Sequence, residues 1–191
     1  MSKYQPPSTC NKIVPLKIRK ILYSTLIESH LRFGSLIYGS VNQKLLEQIA
    51  VLQRKAIRLV ARTKYNSHTD VLFRTFKFLK HEDLVQLNQC IFVRQYCNKQ
   101  LPKSFDKMFQ YLPFSEQVYR DHDYNFKPKT CNKNFLCHFP TVQLLRAWNR
   151  SHLLVKSEAE INLMKATFIS QKLSTYEEEC VKQFCYICKR T

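Results

Sequence analysis

Five cations, Arg54, Lys55, Arg58, Arg62 and Lys64, crowd one short stretch of the chain. Positions 54, 58 and 62 step by four, which on a helix makes one ridge rising about 6 Å per step. A ridge of that kind suits a row of phosphates. Such contacts hold a nucleic-acid backbone in place without reading its sequence. Lys17, Lys20 and Arg32 add positive charge upstream, and Tyr38 and Tyr65 lie near enough to offer stacking faces to bases or sugars. The plainer alternative is a solvated helix face, and for Phe73 and Phe76 a place in the core.

The charge of the whole chain favours phosphate contact. Its 191 residues carry 31 Lys and Arg against 14 Asp and Glu, a net charge of +17. Residues 1–65 account for +10 of this, residues 66–130 for +3 and residues 131–191 for +4. An excess that large raises the energy of the compact monomer, so a polyanion is the expected partner, nucleic acid ahead of an acidic membrane surface. The apolar share of 45% excludes a disordered tail. A chain of this length can remove roughly 70% of its unfolded surface from water. The uncharged stretch Phe33 to Gln43 is too short and polar to span a bilayer, and the N-terminus lacks a signal-peptide core. No membrane partner is expected, and the location is expected to be intracellular, in the nucleus or a cytoplasmic ribonucleoprotein.

Other chemistries find less footing. Cradles for nucleotides need several glycines, and this chain has only Gly34 and Gly39, with no P-loop and no dinucleotide fingerprint. Cys185-x2-Cys188 resembles half of a zinc site, with Cys180 or Cys131-x5-Cys137-His138 as further ligands. No second closely spaced pair follows, so reduced thiols are the preferred reading, zinc is a weak candidate and no cofactor is expected. Asp121-His122-Asp123 could hold a metal but reads as surface, and Glu82-Asp83 reads as helix capping. There is no nucleophile elbow, and six scattered histidines select no base. Catalytic residues are therefore none, and the chain is expected not to be an enzyme.

The elements that must position these side chains are helical. After Pro15, Ile18, Ile21, Leu22, Thr25 and Leu26 form a stripe that predicts a buried face, with Lys17, Lys20 and Ser24 off it. A second helix is predicted over 43–62, burying Leu45, Leu46, Ile49, Leu52, Gln53, Ala56, Ile57 and Val60 and projecting the cations from its other side. Between them, Gly34 and Gly39 suggest a bent connection. Further helices are expected over 69–80, 82–98 and 142–150, with a short one from Pro102 to Tyr111. Ser157-Glu-Ala-Glu160 matches a capping box ahead of a stripe of Ile161, Met164, Phe168 and Lys172, and Ser174 opens a last helix with three cysteines. The fold class is thus mainly α, an irregular helical bundle. Its expected parts are a basic unit over 1–111, a loop-rich linker over 112–140 and a helical segment over 141–191.

Specific blocks then evoke a family. Ile21-Leu-Tyr-Ser-Thr-Leu-Ile-Glu-Ser-His-Leu-Arg-Phe-Gly34, Ile37-Tyr-Gly39 and Leu52-Gln-Arg-Lys-Ala-Ile-Arg-Leu-Val60 resemble the segment downstream of the palm in jockey-like non-LTR retrotransposon reverse transcriptases. That family reads approximately "L-Y-x-S-L-I-x-P-x-L-x-Y-G-x-x-x-W-G" and then "L-Q-(K/R)-K-A-I-R-x-I". His68-Thr69, Leu72-Phe73, Phe78-Leu79-Lys80, Asp83-Leu84, Leu101-Pro102, Phe105, Phe109 and Trp148-Asn149 stand in the family's order, so the resemblance covers about Leu16 to Tyr176. His30 stands where the family usually has Pro and Tyr38 where it often has Trp, and Val118 to Phe135 lacks the Thr-Arg dipeptide common there.

The resemblance implies a reverse transcriptase thumb with a C-terminal extension, whose helices hold a template–primer duplex. It makes the Gln53 to Arg58 helix a duplex-facing element. The palm's paired aspartates have no counterpart here, so a non-catalytic fragment of an RNA-directed DNA polymerase is expected. Its partners would be RNA–DNA or DNA duplex and the remaining polymerase domains of a longer parent chain. The alternative is a domesticated or decayed remnant without a selected role, or one acting as a protein-interaction module through apolar helix faces such as Phe76, Leu79 and Leu87.

Overall fold

Pro15 opens the first helix of the computed structural model, which describes residues 14–40, 43–109, 126–127 and 139–176. The Arg19 N–H reaches the Pro15 carbonyl at 3.1 Å. Helix α1, Leu16–Leu22, passes without a break into a π-helical turn, Tyr23–Glu28, and then into α2, Ser29–Arg32. Thr25 Oγ1 donates to the Ile21 carbonyl at 2.9 Å and Ser29 Oγ to the Thr25 carbonyl, bonds of a kind that bend helices.

The face this helix buries is not the one its apolar residues predict. Ile18, Ile21, Leu22 and Leu26 are 44%, 48%, 45% and 60% exposed, whereas Tyr23 is 1% exposed and Ile27 and Leu31 pack beside it and beyond it. Past Leu22 the π turn extends this line: its i→i+5 hydrogen bonds enclose more residues per turn than an α-helix does, so positions four apart stay in line. Arg19, Tyr23, Ile27 and Leu31 form that line, and the three-and-four pattern of the leucines and isoleucines is turned outward.

The glycine-flanked bend is as expected, with a short helix α3, Ser35–Tyr38, inside it. Gly34 sits at φ 66°, the left-handed region that favours glycine. Gly39 lies where a Cβ would collide with Val85 and the Ser35 carbonyl, which lets this bend press on the helix that carries Val85. Helix α4, Gln43–Ala61, buries Ala50, Gln53, Ile57 and Val60. Leu45 and Leu52, expected inside, are 52% and 63% exposed, and Leu59 is 59% exposed.

Two clusters of buried side chains organise the rest. Tyr23, Ile57, Val60, Phe73 and Tyr176 make the smaller one, between the π turn, α4 and α5, Asp70–Phe76. The larger surrounds α6, His81–Cys97, where Leu84, Leu87, Cys90 and Val93 meet Leu144, Leu145 and Trp148 of α7, Pro140–Arg150, and Met164 and Phe168 of α9, Ile161–Thr175. A 3-10 turn, Lys103–Met108, and the short α8, Leu153–Ser157, border it. Residues on both sides of the 112–140 stretch therefore share one core. Phe126, inside that stretch, is fully buried, and its N–H and carbonyl pair with the Asn149 amide at 3.1 and 2.7 Å.

Two capping details depart from expectation. Ser157 ends α8, its hydroxyl donating to the Leu154 carbonyl, so no capping box forms and Glu160 precedes α9 without a side-chain cap. Ser174 and Thr175 belong to the last turn of α9, and the rest of the helix expected from Ser174 lies outside the described residues. Helix α9 still buries Met164 and Phe168, and Lys172 pairs with Asp83 at 2.8 Å. Among the described residues there is no helix long and apolar enough to cross a membrane.

Candidate nucleic-acid interface

Gln53 fixes the rotation of α4 and hence the direction of its cations. Its side-chain nitrogen donates to the Tyr23 hydroxyl and to the Leu79 carbonyl, both at 3.0 Å, and its oxygen accepts the His81 N–H at 2.8 Å. The last bond satisfies one of the orphan donors at the start of α6. With Gln53 inward, Arg54, Lys55 and Arg58 are carried outward and sideways.

No carboxylate among the described residues neutralises these cations. Arg58 Nε donates to the Ser67 carbonyl at 2.8 Å and Arg62 donates to the Val14 carbonyl at 2.9 Å. A carbonyl fixes a guanidinium without neutralising it. Among the described residues the ion pairs are Arg32–Glu28, Lys80–Asp70 and Lys172–Asp83, and none involves Arg54, Lys55, Arg58, Arg62 or Lys64. Burial, and after it the neighbouring Arg54 charge, hold the Arg58 guanidinium below its ordinary value. Tyr65, 78% exposed, stands beside this row. Arg62 itself adopts φ 57°, ending α4 and turning the chain toward Lys64 and Tyr65.

The other expected site residues are placed differently. Lys17 is exposed, and Lys20 leans over the Phe76 ring at 4.8 Å. Arg32 is held by Glu28, with Nε and Nη2 both bonded to one carboxylate oxygen. Tyr38 is half-buried, stacked on His81 at 5.8 Å with its hydroxyl donating to the Leu31 carbonyl, so one ring face and the hydroxyl are already engaged. Phe73 lies in the core, Leu79 and Leu87 are buried too, and Phe76 is half-buried.

Arg19 joins the cations although its sequence position gave it no prominence. It donates to the Val60 carbonyl, and burial first and the Arg62 charge second lower its pKa. The signal that could have found it is the spacing of four that links it to Tyr23, Ile27 and Leu31.

Metal chemistry has little to build on among the described residues, where no cluster of three or more His, Cys, Asp or Glu could hold an ion. Cys131, Cys137, His138, Cys180, Cys185 and Cys188, with Asp121, His122 and Asp123, lie outside the described residues. Cys90 is buried against Ser151 Oγ at 3.0 Å, and burial pushes its thiol up to about 11, so it stays protonated and unreactive at neutral pH.

Compared with family models, with curated proteins and with solved structures, the chain matches none of them.

Proposed function

We propose that this chain is a non-catalytic, thumb-like piece of a retroelement polymerase that binds nucleic-acid duplex through the cationic side of α4 and the turn after it. The observation that carries the reading is a row of five cations, Arg54 to Lys64, with no carboxylate paired to any of them among the described residues. Arg54, Lys55 and Lys64 supply the mobile charge. Arg58 and Arg62 are held by carbonyls and present fixed charge. Tyr65 adds a stacking face at the end of the row. Arg32 and Tyr38, engaged within the fold, contribute to the scaffold instead.

The mechanism is release of counterions by phosphate contacts, so affinity depends on salt more than on sequence. Five contacts give a slope of about −4.5 in log affinity against log salt, or roughly 500-fold weaker binding between about 50 and 200 mM. The test is duplex binding by the Arg54→Glu, Lys55→Glu variant, since among the described residues neither side chain has a bond to lose. The slope is expected to flatten by about 2. An unchanged slope and affinity defeat this surface.

A further inference from the structure

The leucines that face outward are not scattered. Leu45, Ile49, Leu52, Ala56 and Leu59 follow alternating steps of four and three along α4, with Leu in every second place, which is the seam of a coiled coil. A seam like this ordinarily meets another helix. Here its leucines are more than half exposed, and Ile49 and Ala56 are half-buried.

Beside the seam runs the antiparallel α1 and its π turn, whose Leu22 and Leu26 also face out. The two helices enclose a groove of about 310 Å³, lined by Leu22 and Leu26 on one wall, Ala56 and Leu59 on the other, and Arg19 and Arg62 at one end. The groove lies beside the last turns of α4, and the exposed Leu45 and Leu52 carry the apolar row on beyond it.

Charge selects which helix. The positions next to the seam on its open side are Gln48, Lys55 and Arg62, seven apart. The only carboxylates in residues 14–61 are Glu47 and Glu28, and Glu28 is committed to Arg32. Arg19 and Arg62 face each other across the groove end, each bonded to a backbone carbonyl. A second copy of this chain would set Lys55 and Arg62 against the same cations. An incoming helix with acidic residues beside its own apolar seam would neutralise them.

We propose that the groove between α1 and α4 is a docking site for an acidic amphipathic helix of a partner protein, with its Leu or Ile residues in the seam and its carboxylates against Lys55, Arg62 and Arg19. This does not rest on nucleic-acid binding, although Lys55 and Arg62 belong to both surfaces. Arg54 lies roughly 200° round the helix from Leu52, so a helix in the groove leaves that cation open.

The probe is a synthetic peptide of about three heptads with Leu at a and d and Glu at e and g. Its binding to the full chain is followed by fluorescence anisotropy, with circular dichroism to follow the peptide's helicity. Saturable binding with a gain in helicity is expected. Leu52→Gln with Leu59→Gln should weaken it at least about tenfold, and replacing the peptide's Glu by Lys should weaken it as much. Both leucines are exposed, so the variant keeps its fold, which its own dichroism checks.

Equal binding of a scrambled acidic peptide overturns the proposal, because charge alone then suffices. So does an affinity that the leucine variant leaves unchanged. Leucine-dependent dimerisation, or leucine-dependent binding to vesicles of acidic phospholipid without peptide binding, overturns it in favour of a second copy or a membrane surface.

Discussion

Helices α4 and α6 are of similar length, yet they sit in opposite surroundings. Helix α6 is covered by α7, α9, α2 and α3, and it buries even Gln89, Arg94 and His81. Helix α4 is covered on one side only, and three of its leucines stay in water. Apolar periodicity reports which side of a helix could be buried. It does not report whether anything in the same chain is there to bury it. An unmet seam of this regularity points to a surface whose partner lies outside the described residues, whereas α6 is complete.

That contrast is broken most directly from the α6 side. Trp148 is wholly buried between α7 and α6, with the Arg94 guanidinium over its ring at 5.1 Å. Trp148→Ala should cost about 3–5 kcal/mol in urea-unfolding free energy, a large part of what a domain this size possesses. A loss below about 1 kcal/mol would mean that the α6 core is not the principal one. Gln53→Leu comes next. It leaves the His81 N–H and the Leu79 carbonyl without their partner at a buried site and should cost about 2–6 kcal/mol, on the basis of 1–3 kcal/mol per orphaned group. Because Gln53 also sets the rotation of α4, the same variant should weaken duplex binding, and a variant that folds less stably yet binds equally well would separate the two roles.

Much of this was legible in the sequence where pattern and element agreed. The helices over 43–61, 81–97 and 140–150 stand within a residue or two of expectation, because each carries long periodic stretches and, at α7, a proline in the first turn. The glycine bend was legible for the same kind of reason. The orientation of α1 was not, because its apolar stripe does not say which neighbours it meets, and past Leu22 the π turn changes the helical period. Leu45 and Leu52 were misjudged because burial is a property of neighbours. On the site, the unpaired state of Arg54 and Lys55 followed from the scarcity of acid in residues 1–65. Arg32 was the exception, because Glu28, one of two acids there, lies one turn away. The engagement of Tyr38 by His81 joins residues 43 positions apart and has no local signature.

His81 sharpens the comparison by pH. It is buried under Tyr38, neither ring nitrogen has a partner among the described residues, and burial lowers its pKa from 6.5. Above that value the ring is neutral in folded and unfolded chains alike. As pH falls through about 6.5, the unfolded chain takes up a proton that the folded one resists, so stability should decline toward acid. His81→Phe should remove this component of the decline in urea midpoints measured between about pH 7 and 5.5, and should leave the open face of α4 untouched. An identical pH profile in the variant would place the titrating group elsewhere.

The smallest effect belongs to the seam itself. Leu52→Ala and Leu59→Ala remove side chains that are already mostly in water, so each should change the unfolding free energy by no more than about 0.5 kcal/mol. Small values here carry weight because buried leucines of the same chain behave otherwise: Leu84→Ala and Leu87→Ala, at sites wholly closed to water, should each cost about 2–5 kcal/mol. If Leu52→Ala cost as much as Leu84→Ala in urea unfolding of the full chain, the seam would be covered by part of this same protein. The near-neutral result leaves the leucines without a role in folding, and a regular row of leucines that does not stabilise its own fold is one whose burial energy is left for a partner.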